Sequence, residues 1–555
     1  MNRISKSFLS IVMCMLLLLS ISVTAFGAGL TGSGTEKDPY LITSAADLDA
    51  FSAAVAAGDN FSGKYVSLQT NVAVSSAFIP VGTAATPFAG VFLGNGNSLT
   101  GFNMNRDYAG VFAYTDGAVI SDLSVAGTFR STDYAGAVVA FAINTVIDGC
   151  TASASVSAKN YAGGVAGYIE SGKISGCTVS SRTPIIGTGS YCGGIAGYSG
   201  AVIEKCSNST VIFGAEKVGG IAGSSAGDIL GCTNVATITA SSSYLGGIAG
   251  YLEGAVINSM NKGNVSSNGT GVGKAGGIAG AAYGAEISGC VNAGAVSVTG
   301  DYAGGIAGFI TNASIDNCVS AANVSIQYAD YAGGIFGYAR SSEISKCVAT
   351  AGVSASSRLG GIGALCAADV KECYYNGTNV DKALASGTAT DTTAITAADI
   401  TNKAVYTKLD FEKTWTMNTV HANYPLPKNA PYHTLSLVSS SDASCTEDGL
   451  VSEICLVCQE TVNVVTPAFG HSYKVVSSKA ATCTVAGYED VVCSVCSHSE
   501  STDFPAKGHV DADGDDRCDV CKVNIKLSEV TEKTIFQKIA DFFKSILEWL
   551  RGLFS

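Results

Sequence analysis

The feature that most constrains this chain is an octapeptide that keeps returning. It reads Tyr-Ala-Gly-Gly-Val-Ala-Gly-Tyr from Tyr161, and close copies start at Tyr191, Tyr244, Tyr302 and Tyr331. Degraded copies start at Tyr108, Tyr134, Lys217, Lys274 and Arg358, so that the starts keep a nearly constant interval from Tyr108 to Arg358. A fixed period of roughly 28 residues is the mark of a solenoid, in which each unit buries its apolar face only against its neighbours. Within each copy a Gly-rich strand is followed by a turn, a short strand such as Ala-Val-Ile, a Cys at a near-fixed distance from the start, as Cys177 stands to Tyr161, and a third strand such as Asn-Val-Ser. No segment of the repeats keeps a 3.6-residue apolar period long enough for helices. The expected fold is therefore all-β: a right-handed parallel β-helix of about ten coils over 108–373, its Gly pairs allowing bends and close backbone approach at the corners. Tyr108, Tyr134 and Tyr161 should stack as an aromatic ladder.

The pattern resembles the GLUG-type repeats of secreted and cell-surface bacterial proteins. Gly246-Gly-Ile-Ala-Gly250, followed by Ala255-Val-Ile257 and Gly263-Asn-Val265, is a close example, with Ile-Ala where that family's core has Leu-Val. The resemblance covers about half of the chain and implies architecture and an extracytoplasmic setting, not a ligand.

Solenoid ends need covering. Residues 29–107 read as an N-terminal cap with the first strands. Ser44-Ala-Ala-Asp47 is a capping box, and Leu48, Phe51 and Val55 share one helical face that ends at Gly58. The stretch from Gly32 to Ile42 resembles the start of many secreted bacterial β-helix proteins. Residues 374–434 form a cap or linker, with Trp415 and the Tyr424-Pro425 pair expected over the last coil.

Export is read from the N-terminus. A basic start with Arg3 and Lys6, an apolar run from Phe8 to Phe26, and small residues at Gly27 and Ala28 make 1–28 a signal peptide, an uncleaved anchor being the rival. The expected location is secreted or cell-surface. Formal net charge is -13 and no basic stripe is visible, which argues against a nucleic-acid partner.

Most of the 19 cysteines fall into two populations. Cys150, Cys177, Cys206, Cys232, Cys290, Cys318, Cys347 and Cys373 recur once per coil, with Met260 in the place of one. They read as buried apolar filler or, alternatively, as disulfides between coils. The second population lies in 435–521. Cys445, Cys455, Cys458 and His471 recur at one common offset as Cys483, Cys493, Cys496 and His509. Each unit has the composition of a Cys₃His structural zinc site, with a disulfide module as the rival. These units resemble Cys-rich modules found in tandem near the C-termini of large secreted bacterial proteins, which implies a structural role. A further pair, Cys518 and Cys521, follows Asp511, Asp513, Asp515 and Asp519, which stand at positions 1, 3, 5 and 9 of a calcium-type loop. That run resembles the acidic repeats of thrombospondin type 3, although Asp516 replaces the usual Gly and position 12 has no Glu; a solvated acidic turn is the alternative.

Residues 532–555, within a terminal segment 522–555, have the spacing of an amphipathic helix with Ile535, Ile539, Phe542, Phe543 and Ile546 on one face. Its expected partner is its own chain, a second copy, or the surface of a membrane.

Function is read as a class. The chain is expected to be a non-enzymatic, adhesin-like scaffold that binds glycan or a host or surface protein. The alternative is a carbohydrate-active lyase or hydrolase, because β-helices host both and fold alone decides nothing. Carboxylates one coil apart occur at Asp107 with Asp133 and at Asp301 with Asp330, positions where Asp is also a good turn residue.

Overall fold

The computed structural model describes residues 29–545 except 242, 268–270, 328–330, 379, 418–421, 432–434, 442–443, 456–460, 467–470, 472, 494–495 and 525–535. The proposed signal peptide, Asp330 and the 546–555 end of the terminal helix lie outside them. Two units are present, 1–432 and 433–555.

The first unit is an all-β parallel solenoid of about twelve turns. Coil follows coil in strict register. Tyr134, Ala135 and Gly136 pair with Tyr161, Ala162 and Gly163, and these with Tyr191, Cys192 and Gly193. The same parallel pairing starts before the recognisable repeats, at Tyr40–Ile42 against Val66–Leu68, and continues past them to Thr393–Ile395. The coils therefore outnumber the repeats that the sequence displays.

Register stacking puts each position above its own equivalent, and the interior consists of columns. One is the cysteine column, whose thiols are free and buried. The Cys318 thiol donates to the carbonyls of Asp316 in its own coil and Ile287 in the coil before. Burial is the largest influence that pushes Cys232, Cys318, Cys347 and Cys373 well above the usual thiol range. In the coil without a cysteine the inward place belongs to Ser259, not Met260: its hydroxyl accepts from the Cys232 amide at 3.1 Å. Met260 instead pairs with Thr233, the next position along and on the other face of the strand.

A second column is asparagine. Asn208, Asn234, Asn261 and Asn292 are wholly buried. Each side-chain amide donates to the next Asn Oδ1, at 2.9, 2.8 and 2.9 Å. Each also donates to a backbone carbonyl just ahead in its own coil, as Asn261 does to Gly263. The Gly pairs face this column, and their reason is space. A Cβ on Gly247 would overlap the Gly277 carbonyl oxygen and the Asn261 amide, and one on Gly246 would overlap the Ala249 carbonyl. Neither glycine has the positive φ that only glycine tolerates well, so close approach rather than a special bend fixes the residue.

Along one corner the aromatic residues form two columns. In the first, Tyr108, Tyr134, Tyr161 and Tyr191 stack with centroids 5.1, 4.8 and 4.8 Å apart. In the second, Tyr114, Phe141, Tyr168 and Tyr198 stack at 4.6, 4.8 and 4.7 Å. The columns meet edge to face, as at Tyr161 and Tyr168, 5.3 Å apart and perpendicular. Where the first column has Lys217 or Lys274 in place of Tyr, the second has a small residue, Ser224 or Ala281. The room so made lets each ammonium reach rings in neighbouring coils: Lys217 lies 4.5 Å from the Tyr191 centroid and 5.0 Å from that of Tyr251.

At the N-terminal end the helix Ala45–Ala56 covers the first coil as expected. Ser44 accepts from the Asp47 amide, and Asp47 accepts from Thr43 and Ser44. Its buried face sets Phe51 among Phe61, Phe88 and Phe92.

The C-terminal segment does not close the last coil as expected. Trp415 is fully buried on the flank, where its indole N–H donates to Asn317 at 2.9 Å. With Tyr406, Leu409 and Leu426 it covers an outward column made of Met260, Val291, Val319, Val348 and Tyr374. In earlier coils the same column is Ser124, Thr151, Thr178, Ser207 and Thr233. The switch from hydroxyl to apolar residues marks where the segment lies down, because an apolar stripe needs cover and a hydroxyl stripe does not.

Gly247→Ala should destabilise the solenoid by about 2–3 kcal/mol through overpacking. Asn234→Ala should cost about 2–3 kcal/mol by leaving amide partners unsatisfied on both sides; thermal unfolding followed by circular dichroism measures both. Burial and the neighbouring Asp133 hold the Tyr134 phenol up at about 12, against an ordinary value of 10.0. The folded state keeps a proton that the unfolded chain releases above pH ~10, so stability should be full below that pH and fall as pH rises towards 12. Phenolate absorbance against pH, in folded and denatured protein, checks the sign.

Candidate metal centres

The second unit contains two three-stranded antiparallel sheets. The first is β1 (Leu435–Ser441), β2 (Gly449–Cys455) and β3 (Thr461–Thr466); the second is β4 (Tyr473–Lys479), β5 (Gly487–Cys493) and β6 (Ser499–Phe504). Cys445 lies in the β1–β2 turn, whereas Cys455 ends β2. The whole of β2 separates them, roughly 20 Å at about 3.3 Å of rise from each residue of a strand to the next. Among the described residues the ligand atoms are grouped differently from the sequence units.

The antiparallel order brings different residues together. β3 runs back to the Cys445 end, since Gly449 pairs with Thr466. His471 follows there, immediately before β4, and Tyr473 at the start of β4 pairs with Cys493 at the end of β5. Cys445, His471, Cys493 and Cys496 therefore converge, with all four ligand atoms within 4.8 Å of one another. The second group repeats the design with Cys483 from the β4–β5 turn and His509 after β6, joined by Cys518 and Cys521. In both groups the first two cysteines are buried, the His is half-buried and the last cysteine is exposed.

The two Cys-x-x-Cys knuckles are built alike. Ser497 donates its amide to the Cys493 carbonyl at 3.0 Å, and Lys522 donates to Cys518 at 2.8 Å. Ser497 and Lys522 both have positive φ, 61° and 60°. The knuckle at Cys518 is thus the counterpart of that at Cys493, although no sheet separates it from His509. Cys455 and Cys458, expected as zinc ligands, have side chains outside the described residues.

The geometry fits zinc. The Cys445 and Cys493 sulfurs are 3.7 Å apart, and those of Cys483 and Cys518 are 3.6 Å apart. Cys496 and Cys521 each lie 3.3 Å from the Nδ1 of His471 and His509. A tetrahedron with Zn–S of about 2.3 Å has S···S edges near ~3.75 Å, whereas a disulfide requires about 2.05 Å. Burial and the crowding Cys496 and Cys493 thiols push Cys445 up to about 12, and burial with the Cys518 and Cys521 thiols pushes Cys483 to about 11. Thiolates so crowded call for a divalent cation. When bound, zinc would supply a structural cross-link: each site takes a Cys and a His from one sheet and a knuckle from the segment after it.

The acidic run is wound around its own backbone. Asp511, Asp513 and Asp515 place their carboxylates within 4.8 Å of one another. Asp511 accepts from the amides of Gly514, Asp515 and Asp516, and Asp519 accepts from that of Ala512. Three of the four carboxylates expected to hold calcium are gathered, and the fourth fastens the loop.

In the solenoid the paired aspartates serve the turns. Asp107 accepts from the Thr132 hydroxyl at 2.8 Å and Asp133 from the Asn160 amide at 2.6 Å, each donor in the next coil. Asp301 is exposed. No helix among the described residues is long and apolar enough to cross a membrane. Residues 536–545 are helical, with Phe536, Ile539, Phe542 and Phe543 exposed.

No family model matches the chain, and no curated protein matches it. Among solved structures it is similar to a protein from Bacteroides ovatus provisionally described as an immunoglobulin A1 protease, at 18% identity and a TM-score of 0.28, over 72% of this chain and 94% of that one. A likeness at that level carries no argument for either fold or activity. The class is defined by the structure itself: a parallel β-solenoid followed by Cys/His modules with the geometry of zinc sites.

The ligand sets are checked by zinc content of the full chain. Cys518→Ser should lower bound zinc by one equivalent, whereas grouping by sequence unit predicts no change, since Cys518 belongs to neither unit. Alkylation at mildly alkaline pH should label the module cysteines once zinc is chelated and leave the solenoid column unlabelled until the protein is denatured.

Proposed function

We propose that this chain is an exported, non-enzymatic scaffold whose solenoid binds glycan along its aromatic corner, with the zinc modules as structural joints. One observation carries the reading: two columns of half-buried rings run side by side from Tyr108 and Tyr114 to Tyr191 and Tyr198 and, interrupted at Lys217 and Lys274, resume to Tyr331 and Tyr338, presenting ring surface and phenol groups over many coils. An extended row of aromatic rings suits the apolar faces of successive sugar rings, and the phenols suit their hydroxyls. Burial raises the phenols of Tyr161, Tyr168 and Tyr198, so these rings offer hydroxyls rather than phenolates, and Lys217, Lys274 and Arg358 are the charged members of the column. The aspartates that a glycosidase or lyase would draw on are engaged in turns at Asp107 and Asp133, which supports the binding reading over the enzymatic one. A surface location, and peripheral attachment or self-association through 532–555, belong to the same proposal.

The test applies the full chain to a panel of polysaccharides and host glycoproteins, scoring retention and product release together. Retention without products is expected, with Tyr168→Ala and Tyr198→Ala each weakening it about tenfold, the size of one lost stacking contact of ~1.4 kcal/mol. Released oligosaccharides, abolished by Asp107→Asn with Asp133→Asn, would establish the enzymatic reading instead.

A further inference from the structure

The aromatic corner has a built end. The coil before Tyr108 departs from the repeat: Val81 bridges to Phe112 and Phe88 to Thr115, and the intervening residues loop outward. The loop is held by the Thr83 amide donating to the Thr86 carbonyl at 2.9 Å, and by the Thr86 amide donating to the Thr83 hydroxyl at 3.0 Å. Among the described residues no ring of this coil stacks on Tyr108 or Tyr114, so both ring columns stop here. The ring neighbours of Tyr108 are Tyr114, Tyr134 and Phe141, all in its own coil or the next. Its side towards the preceding coil opens on a cavity of about 280 Å³, lined by Ile79, Thr83, Arg106, Asp107, Tyr108 and Tyr114. Ile79 is 56% exposed, which is unusual for an isoleucine and leaves apolar surface within the cavity.

Beyond Arg106 lies a second cavity of about 540 Å³ with a different lining, including Ser75, Ser76, Asn103 and Asn105. Arg106 borders both. One compartment thus offers ring faces and aliphatic surface, and its neighbour offers hydroxyls and amides. Arg106 and Asp107 are neighbours of opposite charge, and Asp107 lines the smaller cavity only. A sugar ring has this division, with C–H faces and a rim of hydroxyls. A purely apolar ligand would leave the polar compartment unused, and a charged one would meet no net opposite charge.

We propose that these joined cavities are a subsite for the terminal ring of a neutral glycan lying along the aromatic corner, with Tyr108 stacking on the ring and Arg106, Asp107 and Thr83 meeting its hydroxyls. The proposal rests on the glycan-binding reading above and adds to it that the row has an end, so that recognition favours a chain terminus.

The test uses the full chain with neutral linear hexasaccharides (α-1,4- and β-1,4-glucans, β-1,3-glucan and mannan) and the cyclic α-1,4 hexamer, with affinity measured by calorimetry. Thr83→Trp fills the cavity from an exposed loop and removes no ring from either column. Tyr108→Ala removes the stacking face. Each should weaken the best linear ligand at least tenfold, and the cyclic hexamer should bind at least tenfold more weakly than its linear counterpart. Unchanged linear binding in both variants, together with its loss in Tyr198→Ala, would overturn the subsite and leave the corner standing. Binding of no saccharide would overturn both.

Discussion

Everything in the solenoid depends on how closely its coils and walls approach. At Gly247 the place of a side chain is taken by the carbonyl of Gly277 in the next coil and by the amide of Asn261 across the interior. A coil this narrow admits one file of side chains per strand, and register stacking at about 4.8 Å sets each residue on its own kind. The residues that recur are those compatible with themselves. Thiols donate to carbonyls of adjacent coils, carboxamides donate to one another, and phenol rings stack face to face. Like charges in such a file would repel at about 5 Å, so the low charged content of 14% follows from the geometry. The exceptions obey the same rule, since Lys217 and Lys274 stand singly between tyrosines and lie over rings.

Much of the fold was legible because repetition is local information. The Tyr-Gly-Gly period gave the solenoid, and Ser44 with Asp47 gave the capping helix. The assignment of Met260 to the cysteine column failed by a single position, and in a strand that exchanges inside for outside. The flank that receives Trp415 was written in the sequence as well, in the change from Thr233 to Met260 and on to Val291, but that signal appears only when coils are aligned column by column. The paired cavities beside Tyr108 arise where the period breaks, and no repeat could announce them.

The zinc ligands were read in sets by sequence unit, and the described residues gather across those units. A constant offset between two copies invites the inference that each copy folds around its own ion. The strand Gly449–Cys455 lies between Cys445 and Cys455, a separation that counting alone does not reveal. The same element therefore plays opposite parts in the two units. In the solenoid, burial keeps Cys318 and Cys347 protonated and inert. In the modules, three sulfurs and an imidazole crowd to tetrahedral spacing.

Because each ligand set is shared between consecutive segments, the modules behave like links whose halves are interchangeable. Duplicating one such unit within the series inserts a complete new joint without redesigning the old ones, since the inserted knuckle serves the unit before it and the inserted Cys and His await the knuckle after. At the first joint the strands β4 and β5 lie between His471 and the knuckle that ends at Cys496, whereas at the second His509 is followed by the acidic loop and then directly by Cys518 and Cys521. The second joint has thus dispensed with a sheet and kept only the knuckle. Series length in such an array can change by copying alone, and the short form lets the last Cys and His find their knuckle without another sheet.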